Sequence, residues 1–267
     1  MDALQCRVAT TKRQIDDALR VRWAVFGSEL GLLASIPAAP REVSAFDTLS
    51  TTRHFVVYAG EQPVATVRLL LPNPEVARAT GHPLGIDLEQ KLDLSQVASS
   101  GLAVAETTRY CVLRAWRGSE VLMCLNATMY QESRRLGVTH WIASANTETD
   151  SLEDALLARQ VAARDGLVST RLHVSSHESP MGPELPCAPL YTPAQRERAR
   201  AGQLDGLRLP RTLSLFARKM GARFIGQPLY DVHFRRYSMP LLAALEDIPS
   251  STLALFDAVT SGLRRAA

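Results

Sequence analysis

The stretch that decides the fold is residues 101–145, GLAVAETTRYCVLRAWRGSEVLMCLNATMYQESRRLGVTHWIASA. It opens with an apolar run over 101–113 and closes with a second one over 140–145. The apolar positions between them recur at helical spacing, which predicts a helix over 119–136, and Gly137 suits the left-handed position after its end. A strand, a helix and a strand in this order predict a right-handed crossover that leaves the two strands parallel.

Upstream of this stretch the sequence predicts a helix and a hairpin. Apolar residues at helical spacing place the helix over 12–26. Residues 54–59 (HFVVYA) and 64–71 are rich in β-branched and aromatic residues, and the intervening GEQP is typical of a turn. Residues 72–100 carry Pro, Gly and Asn and are expected to hold only short elements.

Downstream, further elements alternate with a proline-rich segment. The predictions are a helix over 151–165, an inserted segment over about 174–209 with one short solvated helix at 193–202, a helix over 211–220, strands over 222–225 and 230–237, and a terminal helix over 250–264. The predicted fold class is α/β, with a mixed central sheet flanked by helices, in a single domain over 1–267.

Composition narrows the functional classes. The chain has 267 residues and a net charge of +3, and it contains no apolar run long enough to span a membrane. Its four cysteines form no CxxC pair, and His173-x-x-x-His177 has no evident third ligand, so no metal site is predicted. The charged run 196–200 lacks interleaved aromatics and does not indicate nucleic-acid binding. These features indicate a reducing, bacterial cytoplasm as the expected location.

Four short motifs occur in order along the first half of the chain. They are Arg22-x-x-Val-Phe26, Glu42-x-x-x-Phe-Asp47, Thr-Val-Arg68-Leu and Glu106-Thr-Thr-Arg109. Together they resemble the branch of the GNAT acyltransferases that contains the acyl-homoserine-lactone synthases, the N-acyl amino acid synthases and the ornithine-lipid N-acyltransferases. A late stretch over 220–234, MGARFIGQPLYDVHF, resembles the last two groups.

Glu106 is the candidate catalytic base. An amine that attacks a thioester must be neutral, and a positioned carboxylate can remove its proton directly or through one water. A charge in an apolar run would be costly to bury without a purpose or a partner. The resemblance implies the role of base for Glu106, while the alternative is an ion pair with Arg109 or Arg68 that only orders the sheet. Backbone N–H groups at Tyr110, Cys111 and Val112 are the candidate oxyanion donors.

Other candidate site residues follow from the resemblance. Arg109, three residues after Glu106, would point to the opposite face of a regular strand, and the resemblance suggests that it organises the site. Arg22, Phe26, Asp47 and Arg68 are implied as substrate contacts. The alternative for Arg22 and Arg68 is that they form two partly buried ion pairs with Asp47 and Glu42. Where the lactone synthases carry a further acidic residue, this chain has Ser44, which weakens the case for S-adenosylmethionine as acceptor.

The acyl donor is predicted to be carried on a protein. GNAT enzymes that use coenzyme A hold it with a glycine-rich loop at the start of a helix, which lets backbone N–H groups approach the pyrophosphate. The corresponding stretch here, Arg117–Leu122, has Glu120 and Leu122 at the two small positions. Acyl-phosphopantetheine on acyl carrier protein brings a single phosphate and fits such a loop better than acyl-CoA. No tightly bound cofactor is expected.

Because acyl carrier proteins are acidic, a basic rim is expected around the donor entrance. The candidates are Arg114, Arg117, Arg134 and Arg135, each of which could also be ordinary solvated surface. The sequence therefore predicts an N-acyltransferase that moves a fatty or polyketide acyl group to an amino acid or related amine. A lipid product would allow peripheral membrane contact. The alternatives are a lactone synthase, an acyl-CoA-dependent N-acetyltransferase and a non-catalytic carrier-binding module.

Overall fold

The computed structural model describes residues 4–33, 39–118, 120–177 and 189–266. The strands are β1 (Leu4–Val8), β2 (Thr52–Ala59), β3 (Gln62–Leu70), β4 (Leu92–Asp93), β5 (Val104–Val112), β6 (His140–Asn146), β7 (Ser175–Ser176), β8 (Arg223–Phe224), β9 (Leu229–Asp231) and β10 (Arg236–Ala244). The helices are α1 (Lys12–Arg22), α2 (Pro74–Thr80), α3 (Ser95–Ser99), α4 (Val121–Arg135), α5 (Leu152–Arg164), α6 (Pro193–Arg200), α7 (Arg211–Met220) and α8 (Ser250–Ala266). Helix α1 continues as a π-helical segment over Trp23–Glu29.

The chain divides into two compact units, and the first comprises Met1–Pro74, Ala103–Trp141 and Pro249–Ala267. Its strands pair in the order β1-β2-β3-β5, and every pairing is antiparallel. Helix α1 packs on one face of β2 and β3, where Ala18 contacts Val56 and Tyr58. Helix α4 packs against β1, β2 and β3 and is itself covered by α8. The hairpin predicted from the sequence is β2 and β3.

Local sequence explains where α1 begins. Thr11 is its N-cap and accepts a hydrogen bond from the Gln14 backbone N–H. The Gln14 side chain accepts in turn from the Thr11 N–H, which completes a capping box. The buried positions of the helix include Ala18, Val21 and Arg22, so its inner face ends in a charged residue. That charge directs the packing described below.

The second unit comprises Glu75–Leu102 and Ile142–Ile248. Strand β10 lies between β6 and β8, and β9 also pairs with β10. A separate two-stranded sheet joins β4 and β7. Against α5, a core cluster brings together Leu157, Val161, Tyr191 and Leu207.

The described parts of the proline-rich segment are built into this second unit. Its first residues form β7, and Tyr191 and Leu207 belong to the core cluster on α5. Residues 178–188 lie outside the described residues. The short helix predicted over 193–202 is confirmed as α6, but its charged face is not wholly exposed to solvent. Arg196 makes two hydrogen bonds, of 2.8 and 2.7 Å, to the fully buried carboxylate of Asp154.

The predicted strand over 230–237 is wrong, because the chain reverses within it. Asp231 Oδ1 accepts hydrogen bonds from the backbone N–H groups of His233 (3.0 Å) and Phe234 (3.2 Å), which forms a turn between β9 and β10. Arg235 then takes a left-handed conformation, with φ 49°. The sequence reading also missed β1 and most of β10, whose interior Pro240 argues against a strand by pattern alone.

Gly221 ends α7 in the left-handed conformation, with φ 64°, and has no room for a side chain. A Cβ there would lie 2.5 Å from the carbonyl oxygen of Asp247. We expect Gly221→Ala to lower the free energy of unfolding by about 2–4 kcal/mol, because the clash adds to the backbone strain. Gly166→Ala is the matched control, since Gly166 has φ 67° but open space around it, and should cost about 1 kcal/mol. Urea unfolding of both variants measures the difference, and equal losses would contradict the steric argument.

Among the described helices, none combines the length and the apolar character needed to cross a bilayer.

Candidate active site

A network of buried ion pairs lies at the end of α1. Arg22 is fully buried, and its guanidinium contacts the carboxylates of both Glu42 and Asp47, the latter at 2.7 Å. Arg68, on β3 and also fully buried, donates to the same Asp47 oxygen at 2.9 Å. The ion-pair alternative considered for Arg22 and Arg68 is therefore confirmed. We call Arg22, Glu42, Asp47, Arg68 and Arg109 the buried ion-pair network.

Ser44 completes the loop that carries the two acids. Its backbone N–H donates to Asp47 Oδ2 at 2.7 Å, and its hydroxyl accepts from Arg68 Nη1 at 2.7 Å. The residue that marks a departure from the lactone synthases therefore holds Arg68 with a neutral oxygen. An acidic residue at this position would add a third carboxylate to the network, so the charge presented to a ligand differs at this point.

Arg109 joins the network through a break in β5. The pairs Arg68–Thr108 and Thr66–Cys111 leave one residue of β3 facing Arg109 and Tyr110, which is a β-bulge, and Arg109 has φ 59°. Its Nε donates to Glu42 Oε1 at 3.3 Å. Glu42 thus links Arg22 to Arg109, a role that the sequence reading did not give it.

The bulge also changes the faces of β5. Cross-strand neighbours share a face, so Glu106, opposite Leu70, lies on the same side as Arg68. Arg109 reaches the network on that side as well. The expectation that Glu106 and Arg109 point to opposite faces is wrong, because the alternation of a regular strand does not continue through an inserted residue.

Glu106, on this same face, is 4% exposed. The network brings three guanidinium groups and two carboxylates to the site, an excess of one positive charge. In general, positive charge close to a buried carboxyl group favours its ionised form.

Tyr110 and Cys111 lie on opposite sides of β5. The Tyr110 hydroxyl donates to Asn126 Oδ1 on α4 at 3.0 Å, and burial raises its pKa. Cys111 packs with Val21 and Val25, and the partly buried Phe26 lies against that cluster. Of the predicted substrate contacts, Phe26 and Cys111 therefore come together in apolar surroundings, whereas the Tyr110 side chain points away. The partly buried Val112 pairs with Ala65.

The segment before α4 carries two of the four predicted carrier contacts. Arg117 pairs with Glu29 and donates to the Val112 carbonyl at 3.1 Å, while the Arg114 N–H donates to Glu29 at 3.0 Å. Glu120 is the N-cap of α4 and is exposed. Arg134 and Arg135 lie in the last turn of α4, about 20 Å away by the rise of the helix, and Arg135 pairs with Glu132. The four arginines therefore form two separate groups.

The late stretch over 220–234 has a structural explanation. Gly221 closes α7 under Asp247, and a Cβ on Gly226 would lie 3.0 Å from both Pro240 and Val174. Asp231 forms the β9–β10 turn and also pairs with Lys91 at 2.5 Å. The roles seen for these residues are structural: they fix turns and close packing within the second unit. In the part of the chain that the structure describes, no group of three potential ligands could hold a metal ion.

Comparison with known proteins identifies the family. A family model described as N-acyl amino acid synthase FeeM matches residues 17–165, which is more than half of the chain. The chain belongs to this family. The matched range includes the buried ion-pair network, Glu106 and all of α4. No curated protein sequence matches the chain significantly.

The fold of FeeM itself matches this FeeM-family chain, and two other solved structures are weaker matches. The structure of FeeM, an N-acyl amino acid synthase from uncultured soil microbes, is 10% identical, has a TM-score of 0.52, and is matched over 91% of this chain and 90% of that chain. BjaI, a CoA-dependent acyl-homoserine lactone synthase, is 14% identical with a TM-score of 0.49 over 97% and 90%. The AHL synthase LasI is 10% identical with a TM-score of 0.49 over 96% and 95%. The GNAT-like fold is confirmed, and the chain is an acyltransferase.

His54 and Asp47 make the buried ion-pair network of this FeeM-family chain sensitive to acid. His54 Nε2 lies 2.9 Å from the Asp47 carbonyl oxygen, which requires an N–H donor there. Burial, helped by the charges of Arg22 and Arg68, lowers the pKa of His54 below its ordinary 6.5. Burial acts to raise the pKa of Asp47, but the hydrogen bond and charge of Arg22 and the charge of Arg68 outweigh it and hold this pKa below its ordinary 3.8.

The lowered pKa values of His54 and Asp47 both make the folded state less stable at low pH. Each group has a lower pKa when folded, so each contributes stability that is present above its unfolded pKa and is lost as the pH falls. We expect the free energy of unfolding to decrease as the pH falls below about 6.5, through His54, and again below about 4, through Asp47. Urea unfolding across this range measures it. His54→Gln should remove the first decrease, whereas His173→Gln, at an exposed side chain, should retain it.

Proposed function

We propose that this chain transfers a fatty acyl group from the phosphopantetheine thioester of an acyl carrier protein to the amine of an amino acid or a related small amine. The observation that carries the proposal is the position of Glu106. It is buried, it shares a face of the sheet with the buried ion-pair network, and it precedes a bulge at which Arg109 is held in a left-handed conformation. Strained backbone beside a buried acid is typical of functional sites.

In this mechanism Glu106 accepts the proton of the amine, directly or through one water, as the nitrogen attacks the thioester carbonyl. The C–N bond forms, the tetrahedral oxyanion collapses with cleavage of the C–S bond, and the carrier thiolate leaves and takes up the proton that the amine gave to Glu106. Backbone N–H groups at Tyr110, Cys111 and Val112, where the bulge turns the strand, would stabilise the oxyanion. Phe26 and Cys111 supply an apolar surface suited to the start of the acyl chain.

Arg109 acts as a positioning residue in this proposal. Its guanidinium reaches Glu42, which in turn holds Arg22, so the bulge is tied to the end of α1. Such a tie would fix the geometry of β5 immediately after Glu106. Asp47 joins Arg22 to Arg68 on β3. The burial of these three residues favours a role in positioning β5 over direct recognition of a mobile ligand.

A carrier-bound donor is favoured by the segment before α4. Exposed Glu120 stands at the N-cap, where a pyrophosphate would otherwise meet the helix N-terminus, and carboxylate and pyrophosphate repel each other. Arg114 and Arg117, at this same end of the helix, are the proposed contacts for an acidic carrier. Arg134 and Arg135 would require a carrier that spans the length of α4. A cytoplasmic location is part of the proposal, since the reaction needs a supply of carrier protein that is loaded with an acyl group.

The donor and the acceptor can be tested together. Purified protein is given palmitoyl carrier protein or palmitoyl-CoA at equal concentration, a panel of amino acids, and separately S-adenosylmethionine. We expect N-acyl amino acid by mass spectrometry, formed faster from the carrier than from CoA. Release of methylthioadenosine would indicate lactone synthesis instead, and faster reaction with CoA would contradict the carrier assignment.

A further inference from the structure

Two cysteines that are far apart in the sequence lie side by side in the first unit. Cys6 is on β1, the edge strand of the sheet order β1-β2-β3-β5, among the residues that alternate inward. Cys124 is on the first turns of α4, which packs against β1. The Cys6 thiol hydrogen-bonds to the Cys124 sulfur, and Thr128, one helical turn later, also hydrogen-bonds Cys6. Both cysteines are free thiols.

We propose that Cys6 and Cys124 form an oxidation site, at which hydrogen peroxide converts the two thiols to a disulfide that fastens β1 to α4. Cys124 is only 1% exposed, whereas Cys6 is partly buried, so a small oxidant would reach the Cys124 sulfur past Cys6 at the sheet edge. No step of the proposed acyl transfer uses either sulfur.

The two thiols have different roles in this reaction. The hydrogen bond that Cys6 donates outweighs burial and lowers the pKa of Cys124, which makes Cys124 the better nucleophile. Burial, together with the same hydrogen bond, raises the pKa of Cys6. Cys111 lacks such a partner sulfur in the described chain, and burial in its apolar cluster raises its pKa.

The reaction balances with peroxide as the only oxidant. The Cys124 thiolate attacks one oxygen of hydrogen peroxide, an S–O bond forms, the O–O bond breaks, and the departing hydroxide takes up the proton to give water. The sulfur of Cys6 then attacks the sulfenic acid, the S–S bond forms, and the S–O bond breaks with loss of a second water. Two thiols and one peroxide give one disulfide and two waters.

The test uses the full-length protein, reduced and then exposed to hydrogen peroxide, with remaining thiols alkylated before digestion without reductant. We expect a peptide containing Cys6 linked to a peptide containing Cys124, an intact mass lower by two hydrogen atoms, and loss of the link on reduction. The link closes a loop of about 118 residues, so the oxidised protein should melt roughly 5–10 °C higher than the reduced protein.

Two variants keep the test decisive. In Cys6→Ser the cross-link and the rise in melting temperature should both disappear, while dimedone should trap Cys124 as a sulfenic acid. In Cys187→Ser, which removes the cysteine outside the described residues, the cross-link should persist. The proposal is overturned if Cys6 and Cys124 stay fully alkylatable in peroxide that oxidises free cysteine, or if Cys124 is recovered linked to Cys187. These outcomes are read on the wild-type chain even if a variant fails to fold.

Discussion

Replacing Glu106 by glutamine is expected to slow amine-dependent release of the carrier thiol by about 10²–10⁴-fold, the range typical for loss of a general base. Glutamine keeps the shape of the side chain and removes its ability to accept a proton. The free thiol is followed with a chromogenic disulfide reagent, at saturating acyl carrier and amine. Because the amine must lose a proton to react, the residual rate of the variant should rise as the pH is raised toward the pKa of the free amine.

The matched control for this prediction is Glu61→Gln. Glu61 is 91% exposed and makes a long ion pair with Arg13 at 3.7 Å, so the same chemical change should leave the rate within about twofold. Equal melting temperatures of the two variants would show that the loss at Glu106 is not a loss of fold. If Glu106→Gln kept the wild-type rate, Glu106 would be an ordering residue of the sheet and the catalytic base would lie elsewhere.

Removal of Arg22 should have the largest effect on stability. Its guanidinium is fully buried between Glu42 and Asp47, and Arg22→Leu would leave both carboxylates without this partner. Breaking a buried pair costs about 3–5 kcal/mol, because an uncompensated buried charge remains. Urea unfolding should therefore show a loss of that size.

The control lies two residues earlier on the same helix. Arg20 is 52% exposed; it pairs with the partly exposed Asp16 at 3.0 Å and, more loosely at 3.5 Å, with the buried Asp17, which keeps its hydrogen bond from Tyr58 when Arg20 is removed. Arg20→Leu removes the same charge and should change the free energy of unfolding by less than about 1 kcal/mol. A similar loss for both variants would mean that the network contributes little beyond an ordinary surface ion pair, and the role given to it here would be wrong.

Periodicity and resemblance predicted much of the fold. The hairpin of β2 and β3, the helices α1, α4, α5, α6 and α7 and the terminal helix all lie close to their predicted positions. The elements that were not predicted depend on contacts that a sequence pattern does not encode. Strand β1 is a short edge strand whose residues alternate in exposure, and the β9–β10 turn depends on Asp231 accepting two backbone hydrogen bonds.

The candidate site was predicted in its residues but not in its geometry. The motifs named Arg22, Asp47, Arg68, Glu106 and Arg109, and the structure joins the three arginines to Asp47 or Glu42 by ion pairs and places Glu106 on the same face of the sheet as Arg68. The bulge in β5 could not be read from Glu-Thr-Thr-Arg, because it is a register shift against β3. A residue spacing gives the face of a side chain only while the strand stays regular.

The most direct test of the central claim is the stoichiometry of the reaction in single-turnover conditions. Palmitoyl carrier protein, an excess of enzyme and an amino acid are mixed, and released thiol and N-acyl amino acid are counted in the same samples. We expect equal amounts of the two products at every time, with neither formed when the amino acid is omitted and with both formed about 10²–10⁴-fold more slowly when Glu106 is replaced by glutamine. Thiol release without the amine, or at the wild-type rate in that variant, would contradict it.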